Sequence, residues 1–283
     1  MKNKNKVTYS SISSVRSPLK LLKSMFFGLK NSWGLARSLM IRDISSQYRQ
    51  TILSYFWVIL PPIVTSLIFI LLNKAQIINV TNLSVPYPVF VFTGTIFFQL
   101  FIDGLYAPLK EFSNNRPLIS KINIPKEFLI ITGLGQTLFS FFIKLIMLLV
   151  IIIIFKVPLK ITSIFIFFPI AGLVFLGMAI GLVILPFGLL YKDVQNIMYA
   201  ASPILIWVSP VAFQQPPIGI LSKIMMINPI SPFIIITRDL LFNETITDLK
   251  KSIIVFTVSL VIFFIGWVFY RLSFPFLIER MDA

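Results

Sequence analysis

Arg42-Asp43-Ile44-Ser45-Ser46-Gln47-Tyr48-Arg49-Gln50-Thr51-Ile52-Leu53-Ser54-Tyr55-Phe56-Trp57-Val58-Ile59-Leu60-Pro61-Pro62 decides how this chain is read. Before it lies a basic, polar arm; from Thr51 onward the residues are apolar. Ten of the 25 Lys and Arg residues precede Thr51, and only Asp43 opposes them. A positively charged segment abutting an apolar run of bilayer length, about 20 residues, marks where a chain enters a membrane.

Composition extends that reading to the whole chain. Hydrophobic residues make up 57% and charged residues 12%, against about 45–50% and about 25% in soluble domains. The formal charge of +15 is carried by residues that flank apolar runs, which suits a membrane surface better than nucleic acid. Without Cys or His, disulfides, thiolate metal sites and imidazole catalysis are excluded. Residues 1–24 hold no apolar stretch ending in a small-residue cleavage site, so no cleavable signal is expected and the first span itself serves for targeting.

Six stretches are long and apolar enough to cross: Thr51–Leu72, Pro88–Leu109, Glu127–Phe155, Ile161–Leu190, Asn196–Phe213 and Ser252–Tyr270. An even number returns both termini to one side. With that side cytoplasmic, the inner segments hold seventeen Lys and Arg and the outer segments seven (Lys74, Lys156, Lys160, Lys223, Arg238, Lys250, Lys251), with Lys144 inside a span. The positive-inside rule therefore expects both ends in the cytoplasm. The expected fold is an all-α integral membrane protein, divided into a cytoplasmic arm (1–50), a six-span domain (51–272) and a cytoplasmic tail (273–283).

Within the arm, residues 1–20 are Lys-, Ser- and Asn-rich and are expected to be disordered. From Leu21 to Met40 apolar residues recur at near-helical spacing among Lys23, Lys30 and Arg37, which predicts an amphipathic helix in the membrane interface with Trp33 at headgroup depth. Between spans five and six, Ile218–Ile227 and Pro232–Phe242 are each too short to cross and are broken by Asn228-Pro229-Ile230-Ser231-Pro232. Two short re-entrant helices fit that pattern. Pro61-Pro62, Pro186, Pro203 and Pro210 are expected to kink their spans or start new segments.

No nucleotide-binding loop or clustered acids are present, and without His or Cys nucleophile–base pairs are limited to uncommon combinations, so no catalytic residue is assigned and any energy is expected from a partner. Two ionisable residues fall within spans, where a charge costs at least roughly 2.5–3.5 kcal/mol. Counted from the inner ends of their apolar runs, Asp103 and Lys144 differ in depth by about 15 Å, so no direct pair between them is expected. Aromatic residues gather in the first two spans (Tyr55, Phe56, Trp57, then Phe97, Phe98, Phe101). Such rings can stack on sugars, pack internally or face lipid, and the residues alone leave that open. The loop Lys110–Lys126, with Ser113, Asn114 and Pro117, suits the start of a short helix that could dock on a soluble partner.

Taken in order, several stretches resemble the membrane subunits of ATP-binding-cassette exporters for bacterial surface polysaccharides: O-antigen, capsule and teichoic-acid permeases. They are Arg42-Asp43, Tyr48 to Thr51, Trp57 and Pro62; Pro86-Tyr87-Pro88; Asn114 to Pro125; Lys192-Asp193-Val194; Ser209-Pro210-Val211; and Asn228 to Pro232. The resemblance implies an inner-membrane homodimer joined to two ATPase chains, with ATP and Mg bound there and no cofactor on this chain. It implies that a lipid-linked glycan enters near Arg42, Tyr48 and Arg49 and passes the aromatic residues named above, with the first and fifth spans lining the path. It further implies an ATPase-coupling loop containing Asn114, Arg116, Lys121 and Pro125, and an outer gate at Asn228, Pro229 and Pro232. Ser54, Pro61 and Lys192 depart from the residues usual in such permeases (Gly, Gln and Arg). The alternatives are a permease for a smaller lipid or drug, a membrane glycosyltransferase, or a secondary transporter, which would need inverted repeats.

Overall fold

Long apolar runs in this chain satisfy their backbone groups as helices, as a bilayer demands. The computed structural model describes residues 18–49, 54–78, 80, 83–119, 125–213, 220–242, 245–247 and 249–279. For 18–20, 47–49, 54, 220–221 and 279 it describes the backbone alone. The described elements are α1 (Pro18–Arg49), α2 (Ser54–Lys74), α3 (Tyr87–Asn114), α4 (Arg116–Ile119), α5 (Phe128–Ile154), a 3-10 turn (Ile161–Ile166), α6 (Phe167–Leu190), α7 (Lys192–Trp207), α8 (Ile220–Ile227), α9 (Ser231–Phe242) and α10 (Leu249–Glu279). No strand occurs among the described residues. Gln76 (φ 58°) and Lys156 (φ 52°) take the left-handed conformation just past α2 and α5, a usual way of closing a helix's last turn.

Five helices among the described residues are long and apolar enough to cross a membrane: Tyr55–Lys74, Tyr87–Asn114, Phe128–Ile154, Ile161–Leu190 and Leu249–Ile278. They match the first four expected spans and the last. The stretch expected as the fifth span, 196–213, behaves differently. Its helix α7 starts earlier, at Lys192, and ends after 16 residues at Trp207, short of the about 20 residues a helical crossing needs. Its place is fixed by α3. The Tyr106 hydroxyl donates to the Met198 carbonyl at 2.6 Å, and the Tyr87 hydroxyl donates to the Ala212 carbonyl at 3.2 Å. Residues 198–212 thus run beside 87–106 in the opposite direction, with the last few residues out of the helix.

The centre of the bundle is α3, buried on most sides, packed against α6 and α5. Beyond α6 lies α10. The α3–α6 contact is close because it is made by glycines. A Cβ at Gly177 would come within 2.5 Å of the Phe101 carbonyl oxygen, and one at Gly181 within 2.4 Å of that of Leu105. Small residues four apart let membrane helices approach to backbone contact. The outer helices α2 and α5 keep large apolar surfaces exposed, as lipid-facing helices do.

The proline expectations meet mixed outcomes. α2 runs through Pro61 and Pro62, α6 through Pro186 and α7 through Pro203; only at Pro210 is the chain out of the helix. The two short helices expected between spans five and six are present as α8 and α9, and α9 is buried along nearly its whole length against α3, α6, α10 and the 3-10 turn. The final helix passes Tyr270 and continues to Glu279, through much of the segment expected as a tail.

The expected amphipathic helix is present as α1, longer than its apolar pattern suggested. Leu21, Met25, Ser32, Ala36 and Leu39 face the bundle, while Phe26, Phe27, Trp33 and Ile41 are exposed with the basic residues between them. It is docked on protein. Met40 lies over Gly135 of α5, and Arg271 of α10 pairs with Glu127 and donates to Ser24 Oγ at 3.0 Å. The Tyr270 hydroxyl donates to the Lys126 carbonyl at 2.8 Å. Burial and the nearby Arg271 guanidinium lower the Lys126 ammonium below the usual lysine range. The expectation of disorder for residues 1–20 falls largely outside the described residues.

Candidate functional site

At the end of the bundle where α1 terminates, polar side chains of α1, α3, α5 and α7 face one another across a cleft. Two adjoining cavities compose it. The outer, about 820 Å³, lies among Arg42, Asp43, Ser46, Lys110, Asn115 and Gln136. The inner, about 510 Å³, is bounded by Asp103, Tyr106, Glu111, Gln136, Ser140 and Tyr199. Lys110, Asn114 and Gln136 line both.

The outer wall is built around Arg42. Its Nε donates to Asp43 Oδ1 at 2.7 Å, and its Nη2 donates to Asn115 Oδ1 at 2.7 Å. Asn115 is itself fixed through Nδ2 to the Glu111 carbonyl at 3.0 Å. The residue that ends α3 therefore also ties α3 to α1. Part of the Arg42 fork is occupied by these bonds, although half of its side chain stays exposed (50%).

Asp103 and Lys144 meet in the inner wall, against the expectation drawn from their depths. Lys144 Nζ lies 2.6 Å from Asp103 Oδ2, and Ser140 Oγ donates to the same oxygen at 3.1 Å. Two things close the expected gap. α3 continues to Asn114, past the end of its apolar run, which places Asp103 deeper than a count from Leu109 suggests. The remaining offset, eight or so ångströms at roughly 1.5 Å per residue, is within reach of a long Lys stem combined with helix tilt. Glu111 and Thr137 also line this cavity; Glu111 Oε2 and Thr137 Oγ1 are buried and unpartnered. Tyr106 stacks on Tyr199 with ring centroids 5.1 Å apart, and its hydroxyl lies 2.6 Å from Ser202 Oγ.

The other expected site residues divide by place. Tyr48 and Arg49 end α1, and their side chains lie outside the described residues. Tyr55, Phe56 and Trp57 are exposed at the start of α2, and Val58 beside them lines the inner cavity. Phe97, Phe98 and Phe101 are buried inside the protomer, Phe97 packing edge-on against Phe141 of α5 at 5.3 Å. They face no open surface in this structure. Ser113 and Asn114 form the last turn of α3, so the short helix begins later than expected, at Arg116. Arg116 and Lys192 border a separate cavity of about 480 Å³. Pro125 is exposed, and Lys121 lies outside the described residues.

The remaining expected positions, Asn228, Pro229 and Pro232, sit at the opposite end. Asn228 Nδ2 donates to the Val208 carbonyl at 3.1 Å while its Oδ1 accepts from Ile230 N at 2.9 Å, pinning the α8–α9 corner to the end of α7. Sequence reasoning missed the neighbour that matters most there. Arg238 is buried, stacks 3.5 Å over the Phe90 ring, and donates to the carbonyls of Phe90 (3.1 Å), Pro210 (2.5 Å) and Val211 (2.7 Å). It satisfies the carbonyls freed where α7 stops. An Arg beside the Ile234–Ile236 run of a short, mostly apolar stretch is the available signal.

The cleft can hold a hydrophilic group inside a membrane domain. No protein-family model matches the chain. The chain is similar to the O-antigen export system permease protein RfbA of Klebsiella pneumoniae, 22% identical over 219 residues, covering 76% of this chain and 83% of that protein. The protein of the same description from Myxococcus xanthus is 22% identical over 236 residues, covering 81% and 88%. With helices of bilayer-crossing length, the chain is a multi-pass membrane protein, similar over most of its length to permeases of O-antigen export systems.

Proposed function

We propose that this chain is the permease subunit of an ATP-binding-cassette exporter that carries a lipid-linked polysaccharide across the bacterial inner membrane. A separate ATPase, binding ATP and Mg, supplies the energy. The observation that carries the proposal is the polar cleft entering the bundle at the Arg42–Pro62 seam, in a chain without a nucleotide-binding loop of its own. A hydrophilic headgroup arriving from the inner leaflet needs such a notch, since neither lipid tails nor an apolar bundle would solvate it. The names of the two relatives support a glycan as cargo.

In this reading two copies stand side by side with their α2 and α7 faces together. Those helices touch through Phe69 and Trp207 (5.1 Å between ring centroids) and present Tyr55, Phe56, Trp57 and Tyr199 outward. A symmetric pair would close a lumen that one protomer cannot enclose. The ATPase grips the Asn114–Pro125 segment, and α3 carries its movement to the cleft. The test is deletion of the chain in its own host, followed by surface-glycan staining, with affinity purification of the tagged chain. Loss of surface glycan and recovery of a stoichiometric ATPase are expected. Unchanged surface glycan after deletion would sink the export reading.

A further inference from the structure

The inner cavity is furnished beyond what a passage needs. Its volume of about 510 Å³ falls within the about 300–1,000 Å³ usual for ligand sites. Its wall is built from fixed groups. Lys144 and Ser140 both bond Oδ2 of Asp103, which leaves Oδ1 uncommitted on a side chain that remains 32% exposed. Tyr106 is anchored through its hydroxyl to Met198 and Ser202, and its ring backs that of Tyr199 at an interplanar angle of 19°. Tyr199 keeps 62% of its surface exposed, so its other face is open.

Charge narrows the ligand class. Lys144 pairs with Asp103 from behind the wall, and Lys110 stands in the wall with Glu111. With an acid and a base at each place, the wall presents no cluster of one sign to mark it for a metal ion or a phosphate. A preorganised carboxylate oxygen, amide groups on Gln136 and Gln195, and an open aromatic face instead suit a neutral ring with hydroxyls on its edge and C–H bonds on its face. We propose that this cavity is a sugar-binding subsite within the single protomer. Asp103 Oδ1 accepts hydrogen bonds from the sugar hydroxyls and Tyr199 stacks on the ring. Lys144, Ser140 and Tyr106 are positioning residues, holding those two in place. That the sugar belongs to an exported glycan rests on the export reading; the subsite itself does not.

The test uses the full chain in lipid nanodiscs with a panel of free monosaccharides (glucose, galactose, mannose, rhamnose and N-acetylglucosamine), read by saturation-transfer NMR. At least one is expected to bind. Tyr199→Leu is expected to weaken binding by roughly tenfold. Because Asp103→Leu alone would strand Lys144, the paired change Asp103→Leu with Lys144→Met is used to remove the acceptor, with a comparable loss expected. Trp207→Leu, further along α7, is expected to leave binding unchanged. Failure of every sugar to bind, or equal weakening by Trp207→Leu and Tyr199→Leu, overturns the subsite. If no sugar binds yet deletion of the chain abolishes surface glycan, the subsite falls and the export reading stands. If a sugar binds as described yet deletion leaves surface glycan unchanged, the subsite stands and the export reading falls.

Discussion

Lys144 and Asp103 illustrate how an ion pair buried within a membrane bundle is held by mutual need. Removing one partner leaves a charge that the surroundings cannot solvate. Asp103→Leu, which strands the buried Lys144 ammonium, is expected to destabilise the protein by about 3–5 kcal/mol, while the double change with Lys144→Met recovers most of that loss. Thermal unfolding of the unaltered protein and the two variants in one detergent checks both halves; equal losses in the single and double variants would contradict the pairing. Both charges are legible in the sequence, but their meeting is not. Depth was counted from where the apolar run ends, whereas the helix carrying Asp103 continues to Asn114. Arg238 teaches a similar lesson. It counts as an outer-loop charge by position, yet its guanidinium serves three carbonyls in the interior. Arg238→Met is expected to cost about 1–3 kcal/mol of local stability by stranding those carbonyls. A cysteine placed at Val211, which is fully buried in this Cys-free chain, would report it. Maleimide labelling should be slow with Arg238 present and markedly faster without it.

At the scale of the elements, the close approach of α3 and α6 rests on what is missing from Gly177 and Gly181. Valine at either position must push the two backbones apart, with a cost of about 1–3 kcal/mol or more for overpacking. Gly34→Ala in α1 is the matched control, since nothing lies within 4 Å of the position its Cβ would take. It should be neutral or slightly stabilising. Melting temperatures of the purified variants decide the matter. Most of the long helices were legible because a bilayer leaves an apolar run of sufficient length few other conformations. Their partners were not, because apolar residues on all sides of a helix such as α6 do not say which side meets protein. The spacing of Gly177 and Gly181 held part of that information. The stop in α7 was not legible either. It depends on Arg238 and Asn228, residues distant in sequence that satisfy the carbonyls of a chain leaving its helix.

The whole molecule has two chemically different ends. One carries the arm, the cleft and the Arg271–Glu127 pair; the other carries α8, α9 and the 3-10 turn. With Arg238 withdrawn into the interior, the charge asymmetry between the ends is larger than the sequence count implied. The arm end is therefore expected in the cytoplasm. Ser46→Cys and Ile161→Cys test this, since Ile161 is 91% exposed at the opposite end. An impermeant maleimide added to intact spheroplasts should label the cysteine at 161 and reach that at 46 only after permeabilisation. The reverse pattern would invert the orientation and move the cleft to the wrong leaflet for loading.

The brevity of α7 has a mechanical consequence for the surrounding lipid. Its 16 helical residues stand in the same bundle as helices of 28 and 27 residues, α3 and α5. No single hydrocarbon thickness matches both lengths. Lipid beside so short a helix would have to thin, at fractions of a kcal/mol per ångström of mismatch, and the cost is avoided where a second protein surface covers it. In the proposed pair of copies α7 has that cover. Thicker bilayers should therefore favour pairing: reconstituted into lipids of graded acyl-chain length, the paired fraction should rise with chain length, and a flat or falling fraction would contradict pairing through α7.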